Sequence, residues 1–247
     1  MIRAIRHYLG TTVRAARRLT GVLKVRARRW LAFLALFLVL LHWALLVGVA
    51  LTCLLYNYVN PPLTGLMLYR QFVSRFRNQS VRFIPLESIP AYARRMFVQV
   101  EDHNFYRHHG IDLQAIRDAY RINRRLGYVY YGGSTISQQL ARTLFLAPTR
   151  TYLRKYLETL IALEMEIFLP KKRILELYVN YIEYGEGIYG IAAASRYHYG
   201  KAADRLSRDE YRRLVTIVAS PLRYDVRDFT ARRALQERYD YLCAAFP

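Results

Sequence analysis

One uninterrupted apolar run constrains this chain more than any other feature of its sequence. Residues 31–55 form a stretch of 25 positions without a formally charged side chain. As an α-helix, such a stretch is roughly 37 Å long, enough to cross a hydrocarbon core of about 30 Å with some tilt. A signal-peptide core is shorter and ends at a small-residue cleavage site, which is not evident here. We therefore predict a retained transmembrane anchor over residues 31–56.

The charges on either side of this run predict its orientation. Residues 1–29 carry nine Lys or Arg and no acid, and the first acidic residue of the chain is Glu87. Because positive charge is retained on the cytoplasmic side, residues 1–30 are predicted to be a basic cytoplasmic segment and the rest of the chain to lie outside. Trp30 and Tyr56 stand where aromatic side chains commonly mark the membrane interface.

Charge and cysteine content narrow the classes of partner. The 247 residues carry a formal net charge of +20. That balance suits an anionic partner such as nucleic acid, acidic lipid or pyrophosphate. No nucleic-acid-binding motif accompanies it, so no nucleic acid is expected as a partner. Two cysteines, Cys53 and Cys243, do not make a disulfide framework or a metal site, and Cys53 is interpreted as a small hydrophobe.

Beyond the anchor, hydrophobic periodicity predicts a mainly α-helical chain. Residues 57–90 contain four prolines and are predicted to be a connector close to the membrane. Asp112 is the predicted N-cap of the first clear helix. The predicted helices cover residues 112–126, 135–146, 151–169, 171–181 and a segment starting near 191. Strand signals are few, and the glycines at 185, 187 and 190 predict a loop.

The first chemically suggestive segment is residues 101–112, EDHNFYRHHGID. A carboxyl group in such a crowded cluster suits general acid–base transfer. Two other interpretations stay open on spacing alone. One is a metal site formed by His103, His108 and His109, although their spacing matches no common zinc pattern. The other is a capped helix end with buried hydrogen bonds.

The second segment is residues 132–142, GGSTISQQLAR. Two glycines followed by hydroxyl residues at a helix start present backbone N–H groups at the positive end of the helix dipole, which favours anions. The Gly-Lys-Ser/Thr ending of a P-loop is missing. Gln138 and Gln139 carry long amides that donate to and accept from sugar hydroxyls. The alternative is an ordinary helix start with a serine cap.

The third segment, residues 150–158, reads RTYLRKYLE. Arg154 and Glu158 are four residues apart on a predicted helix. They form either an ordinary surface ion pair or the surroundings of a second carboxylate that cations keep ionised. Glu164 and Glu166, further along this helix, are expected to serve solubility or packing.

The fourth segment, residues 172–180, reads KRILELYVN. Glu176 is expected to pair with Lys172 across one helical turn. Asn180 is expected to cap or cross-link helices. Structural roles are favoured over catalytic ones for this segment.

In this order and spacing, the four segments resemble one family, the peptidoglycan glycosyltransferases, which also occur as the first domain of bifunctional penicillin-binding proteins. EDHNFYRHHGID resembles the family's Glu-Asp-x-x-Phe-x-x-His-x-Gly signature, and GGSTISQQLARTLFL resembles its Gly-Gly-Ser-Thr-Ile-x-Gln-Gln block. The third and fourth segments together are similar to two further family blocks. The resemblance covers residues 57–225. It implies a lysozyme-like helical glycosyltransferase domain over residues 91–247, preceded by one transmembrane helix.

The resemblance also implies roles for individual residues. Glu101 matches the general base that deprotonates the 4-hydroxyl of the acceptor sugar, with Asp102 in a supporting role, and Glu158 matches a second catalytic glutamate near the leaving pyrophosphate. The substrate-binding positions that it implies are Ser134, Gln138, Gln139, Arg142, Arg150, Lys155 and Asn180. Arg142 stands where the family usually has lysine, which keeps the charge but changes the geometry of the leaving-group pocket.

The implied reaction transfers the growing lipid-linked glycan chain onto a lipid-linked disaccharide-peptide, with inversion and release of undecaprenyl pyrophosphate. The segment NPPLTGLMLYR resembles the monofunctional branch, and no Ser-x-x-Lys domain follows, so no transpeptidase activity is expected. A divalent cation, Mg²⁺ or Mn²⁺, is expected from the family alone. The implied location is the bacterial inner membrane, with a cytoplasmic N-terminus and a periplasmic catalytic domain, and other cell-wall synthesis or division proteins as partners.

Two competing functions remain at this point. A lysozyme-like lytic enzyme would cleave the same polymer, but it would need neither the cationic helix with Arg142 and Arg150 nor a lipid-proximal anchor. A membrane scaffold that has lost catalysis is disfavoured by the presence of Glu101 and Glu158.

Overall fold

A computed structural model describes the backbone of residues 2–128 and 132–247, and the side chains of residues 26, 28–128 and 132–247. The chain divides into two compact units, Met1–Gly48 and Val49–Pro247. The second unit therefore takes in the last two turns of the predicted anchor. The side chains of the basic residues before Arg26 lie outside the described part.

The predicted anchor lies within a single long helix, α1 (Ile2–Tyr56). Its section Arg28–Tyr56 is, among the described residues, the one helix long and apolar enough to cross a membrane. The predicted basic segment continues the same helix on the N-terminal side. In the second unit, Val49 and Cys53 near the end of α1 are buried, and Cys53 is a free thiol, as predicted for a small hydrophobe.

The second unit is built almost entirely of helices. They are α2 (Gly65–Phe72), α3 (Ala91–Glu101), α4 (Leu113–Leu126), α5 (Ile136–Phe145), α6 (Tyr152–Phe168), α7 (Lys171–Tyr181), α8 (Ile191–Tyr199), α9 (Arg208–Ile217) and α10 (Arg233–Ala245). Short 3₁₀ turns cover Leu86–Ser88, Ala203–Arg205 and Phe229–Ala231. The mainly α prediction is confirmed. In this unit, each helix predicted with both bounds agrees with an observed one to within a residue at either end, and the segment predicted to start near 191 is α8.

The loop predicted from three glycines is the turn of a small antiparallel hairpin, β1 (Glu183–Gly185) and β2 (Ile188–Tyr189). Gly187 at its tip has a φ of +72°, and a Cβ there would lie 2.2 Å from the carbonyl oxygen of Arg77. The backbone N–H of Gln79 donates to the Gly187 carbonyl at 2.9 Å. Only glycine fits a left-handed residue in such close contact with backbone.

The predicted connector, residues 57–90, is packed into the second unit rather than standing apart from it. Leu66 and Met67 of α2 and Leu86 of a 3₁₀ turn are buried. A Cβ on Gly65 would approach the backbone carbonyl carbon of Phe145 to 2.8 Å, so this glycine lets α2 lie directly against the end of α5.

Arg173 joins the end of α1 to α7. Its Nε donates to the carbonyl of Tyr56 at 2.7 Å, and its Nη1 lies 2.6 Å from Glu176 Oε2. The predicted pair of Glu176 with Lys172 is therefore wrong. Lys172 pairs instead with Glu87, because Glu176 is engaged on its other side by Arg173 and by the backbone N–H of Leu86.

Helix α5 lies at the centre of the second unit, where it packs against α2, α6 and α7. Most of its surface is inaccessible, and the buried positions are Ile136, Ser137, Gln138, Leu140, Ala141, Thr143 and Leu144. Helix α10 packs against α3 and α9. These two packing arrangements bring the end of α3, the start of α5 and one face of α10 together.

Candidate active site

Asp102 connects the first two sequence segments. It is the C-cap of α3, and its buried Oδ2 accepts from the backbone N–H of Ile136 at 2.9 Å and from His108 Nε2 at 2.8 Å. The Gly110 N–H donates to His108 Nδ1 at 3.1 Å, which assigns the ring proton to Nε2. Asp102 thus fixes the start of α5 against the end of α3, which supports the role predicted for it.

The histidine-rich segment gives no support to a metal site. Among the described residues, no group of three or more His, Cys, Asp or Glu is arranged to hold a metal ion. His108 is engaged with Asp102, and His103 and His109 are exposed. The metal interpretation left open by the spacing is therefore not supported.

Helix α5 begins with a capping box centred on Thr135. The Thr135 hydroxyl accepts from the Gln138 N–H, and Gln138 Oε1 accepts from the Thr135 N–H at 3.1 Å. The Gln138 Nε2 donates to Thr159 at 3.1 Å, and the side chain is buried. The cap is therefore Thr135 rather than the serine of the sequence interpretation. We interpret Gln138 as a support of the helix start, because both ends of its amide are engaged within the protein. Its implied role in substrate binding stays a prediction.

Glu101 is the last residue of α3, and its side chain is 8% exposed. Gln139 Nε2 donates to its Oε2 at 2.8 Å, and Arg238 Nη2 donates to its Oε1. The buried hydroxyl of Tyr178 donates to Gln139 Oε1 at 3.2 Å and fixes the amide in this orientation. A carboxylate has about four lone-pair sites. Glu101 therefore retains capacity for a substrate hydroxyl.

Glu158 lies on α6 with a side chain only 1% exposed. The Lys155 ammonium lies 2.5 Å from its Oε1, and Arg154 donates to its Oε2. The Lys155 ammonium also donates to the Ser134 hydroxyl at 2.8 Å. The predicted pair of Arg154 with Glu158 is present, but its carboxylate is buried rather than on the surface. Lys155 joins Glu158 to the Gly-Gly-Ser-Thr turn.

A cleft of about 370 Å³ lies between the second half of α5, the start of α6 and the segment after α9. Gln139 and Arg154, the partners of the two glutamates, line it, whereas Glu101 and Glu158 themselves are not among its lining residues. The arginines that line it are Arg70, Arg142, Arg150, Arg154 and Arg223. Among the described residues, Glu183 is the one acidic side chain in this lining.

The lining carries more positive charge than its own carboxylates neutralise. Arg70 holds Glu183 with two hydrogen bonds, of 2.8 and 2.9 Å. Burial raises the pKa of Glu183, and the contact with Arg70 opposes that rise. Within the described part of the chain, Arg142, Arg150 and Arg223 form no ion pair. The cleft therefore suits an anionic group such as a phosphate.

Arg223 was not predicted from the sequence, and neither was Arg238. Both lie in the last quarter of the chain, outside the four chemically suggestive segments. Nothing in the local spacing of either residue points to a site. Only the fold brings Arg223 to the cleft and Arg238 to Glu101.

Asn180 does not face the cleft. Its Oδ1 accepts from the Ile84 N–H and its Nδ2 donates to the Ile84 carbonyl, both at 2.9 Å. The same Nδ2 donates to the Glu176 carbonyl at 2.8 Å, and the residue is fully buried. Asn180 therefore links α7 to residue 84, and its implied role in substrate binding stays a prediction.

The expected divalent cation finds no protein ligands in the described cleft. Magnesium sites commonly use one or two carboxylates together with substrate phosphates. Glu101, Glu158 and Glu183 are each already paired with arginine or lysine. These residues do not fit a protein-held cation.

Comparisons with known proteins agree on one family. A family model described as Transglycosylase matches residues 69–245. A biosynthetic peptidoglycan transglycosylase of Caulobacter vibrioides is 41% identical over 193 residues, which are 78% of this chain and 81% of that protein. Proteins of the same name from Nitrosospira multiformis and Dechloromonas aromatica are 38% and 39% identical, over 80% of this chain and 88% and 87% of their own lengths.

Proposed function

The chain belongs to the transglycosylase family, and we propose that it polymerises peptidoglycan glycan strands in its arginine-lined cleft. It acts on peptidoglycan precursors and on the glycan chain that grows from them. The substrate is a disaccharide-peptide linked through pyrophosphate to a lipid. The observation that carries this proposal is the unneutralised charge of Arg142, Arg150 and Arg223 beside Gln139, the direct partner of Glu101.

The reaction is a displacement at the anomeric carbon of the growing chain. Glu101 takes the proton from the 4-hydroxyl of the incoming disaccharide, and that oxygen forms the new bond to the anomeric carbon. The bond from this carbon to the pyrophosphate oxygen breaks, and the electron pair leaves with the lipid pyrophosphate. Attack from the face opposite the leaving group inverts the configuration, as in inverting glycosidases.

The leaving pyrophosphate needs stabilisation of developing negative charge. Arg142 and Arg150 supply it in this proposal, and Arg223 adds a third cation. Glu158 acts through its partners, because both of its oxygens hold cationic side chains of its own helix. It keeps Arg154 at the cleft wall and Lys155 on Ser134.

The apolar section of α1 is long enough to anchor the protein in a membrane. We propose that it crosses the bacterial inner membrane with its basic N-terminus in the cytoplasm. The catalytic unit then lies outside and is tethered to the bilayer that carries its lipid substrate. Contacts with other cell-wall synthesis or division proteins remain part of the proposal.

A direct comparison of substrates tests this function. Purified full-length protein in detergent or lipid vesicles is incubated either with labelled lipid-linked disaccharide-peptide or with finished sacculi. We expect longer glycans from the precursor and no soluble fragments from sacculi. Release of fragments from sacculi without polymer formation would identify a lytic enzyme instead.

A further inference from the structure

Arg238 contacts the proposed general base, although no sequence motif predicts this contact. It lies on α10, is separated from Glu101 by 137 positions, and donates through Nη2 to Glu101 Oε1. The same Nη2 donates to the carbonyl of Val215 on α9 at 3.0 Å. The arginine therefore joins α3, α9 and α10 at the carboxylate.

Arg238 is held firmly in this position. Its side chain is only 16% exposed, and Val215 is fully buried. Leu235 and Leu242 bury the face of α10 that carries it. Among the described residues, Glu101 is the one carboxylate with which Arg238 forms an ion pair. A buried arginine with a fixed backbone partner is suited to orienting a group, and is poorly suited to swinging away in each catalytic cycle.

Glu101 is thus held from two sides by donors of different kinds. Gln139 supplies a neutral donor to Oε2 and Arg238 a cation to Oε1. Two bonds to different oxygens fix both the rotamer and the plane of the carboxylate. These two bonds leave about two of the four lone-pair sites of the carboxylate for an acceptor hydroxyl.

We propose that Arg238 is the positioning residue of the general base: it orients the Glu101 carboxylate toward the acceptor hydroxyl. The proposal rests on the proposed function, in which Glu101 takes the acceptor proton. In general, an adjacent cation favours the charged form of a carboxylate, which is the form that accepts a proton.

The other ionisable groups described around Glu101 do not place a second cation in direct contact with its carboxylate. Burial raises the pKa of Tyr178 on α7 and of Tyr184 on β1 well above the ordinary value, so both hydroxyls stay neutral near neutral pH. Asp102, next in the chain, is bonded to His108. Arg142 on α5 is close enough to act electrostatically on the neighbouring Tyr178, but Arg238 is the cation in direct contact.

The test uses the full-length protein with Arg238→Gln and Arg238→Lys. The glutamine removes the charge and keeps a donor, whereas the lysine keeps the charge and loses the planar fork. Arg233→Gln is the matched control, because Arg233 lies on the same helix with a side chain 89% exposed. Polymerisation of lipid-linked disaccharide-peptide is followed as kcat/KM and kcat against pH, and thermal melting reports folding.

We expect kcat of Arg238→Gln to fall more than KM changes, and the acidic limb of its profile to move to higher pH because the neighbouring cation is lost. Arg238→Lys should keep the wild-type limb at a reduced kcat, and Arg233→Gln should match the wild type. If the acidic limb of the Arg238→Gln profile did not move, Arg238 would only hold the helices together, and the proposal would be wrong. If Arg238→Gln fails to fold, the test rests on Arg238→Lys. Because lysine keeps the positive charge, a shifted acidic limb in the folded lysine variant would overturn the proposal.

A faster Arg238→Gln enzyme would likewise overturn the positioning role, since the arginine would then restrain the base. Failure of the proposed function has a different signature. If folded Glu101→Gln polymerises normally, Glu101 is not the base, whatever the Arg238 profiles show. If Glu101→Gln is inactive and the Arg238→Gln limb does not move, the base assignment stands and only the inference about Arg238 falls.

Discussion

Glu101 and Glu158 show how neighbours give one residue type two roles. Glu101 is held by an amide from α5 and a guanidinium from α10, two elements that are far apart in the sequence. Glu158 is held by two cations from the preceding turn of its own helix. The first arrangement leaves a carboxylate with capacity for a substrate hydroxyl. The second uses the carboxylate to fix cationic side chains.

Two substitutions distinguish the contributions of Arg150 and Arg142 to the cleft. Arg150→Ala removes a cation proposed to stabilise the leaving pyrophosphate, and we expect polymerisation to fall by about 100-fold or more. Arg142→Lys keeps the charge, so we expect most of the activity to remain. Initial rates with labelled lipid-linked disaccharide-peptide measure both effects.

Arg196→Ala is the matched control for these variants, because Arg196 is exposed on α8 and does not line the cleft. We expect it to retain wild-type activity. An unchanged rate in folded Arg150→Ala would remove Arg150 from the pyrophosphate site.

At the scale of elements, Asp112 links the first sequence segment to α4. Its Oδ1 accepts from the Ala115 N–H at 2.9 Å, and its Oδ2 accepts from the Asn104 amide at 2.8 Å. Burial works against its ionisation, but these hydrogen bonds prevail and the pKa of Asp112 lies below its ordinary value. The charged cap therefore stabilises the fold.

We expect Asp112→Asn to lower the free energy of unfolding by about 0.5–1 kcal/mol at neutral pH, since asparagine still caps but lacks the charge at the helix start. A lowered pKa in the folded state means that the contribution is complete above the unfolded value of about 3.9 and is lost as the pH falls through the folded value. Denaturant unfolding at several pH values measures the difference.

The control for this prediction is Asp118→Asn, a half-exposed side chain on the same helix. We expect it to change the free energy of unfolding by less than about 0.5 kcal/mol. A difference between wild type and Asp112→Asn that does not shrink in acid would contradict the assigned charge effect.

Features that depend on local chemistry were predictable from the sequence. The helix start at Asp112 and the helix end before Pro170 follow from capping and from the backbone restrictions of proline. The hairpin at 183–189 was not predicted, because its short strands depend on contact with residues 77–79. The capping role of Gln138 was also missed, since the sequence shows a polar side chain but not the direction in which it points.

The residues of the substrate site also divide into those that the sequence predicted and those that it did not. The resemblance assigned Glu101, Gln139, Arg142 and Arg150, and the structure brings Gln139, Arg142 and Arg150 to one cleft with Glu101 bonded to Gln139. Their catalytic and binding roles stay predictions. The contact of Arg238 with Glu101 was not predictable from the sequence, because a contact over 137 positions depends on the packing of α10 against α3 and α9.

At the scale of the whole molecule, a basic N-terminal helix runs into an apolar section of 29 residues. The charge asymmetry predicts a cytoplasmic N-terminus. We expect a reporter that is active only outside the cytoplasm to be active when fused after Pro247. Activity of a cytoplasm-only reporter at the same position would contradict the assigned orientation.

The central claim is that Glu101 removes the acceptor proton during glycan polymerisation, and Glu101→Gln tests it most directly. Glutamine keeps the shape and one acceptor oxygen for Gln139 or Arg238. Its amide nitrogen accepts from neither of them, and the side chain does not take up the proton. With labelled lipid-linked disaccharide-peptide, wild type and the exposed control Glu87→Gln should give a ladder of long glycans on a gel. Folded Glu101→Gln should bind substrate and lose at least about 100-fold in rate. A near-normal ladder from folded Glu101→Gln would contradict the mechanism.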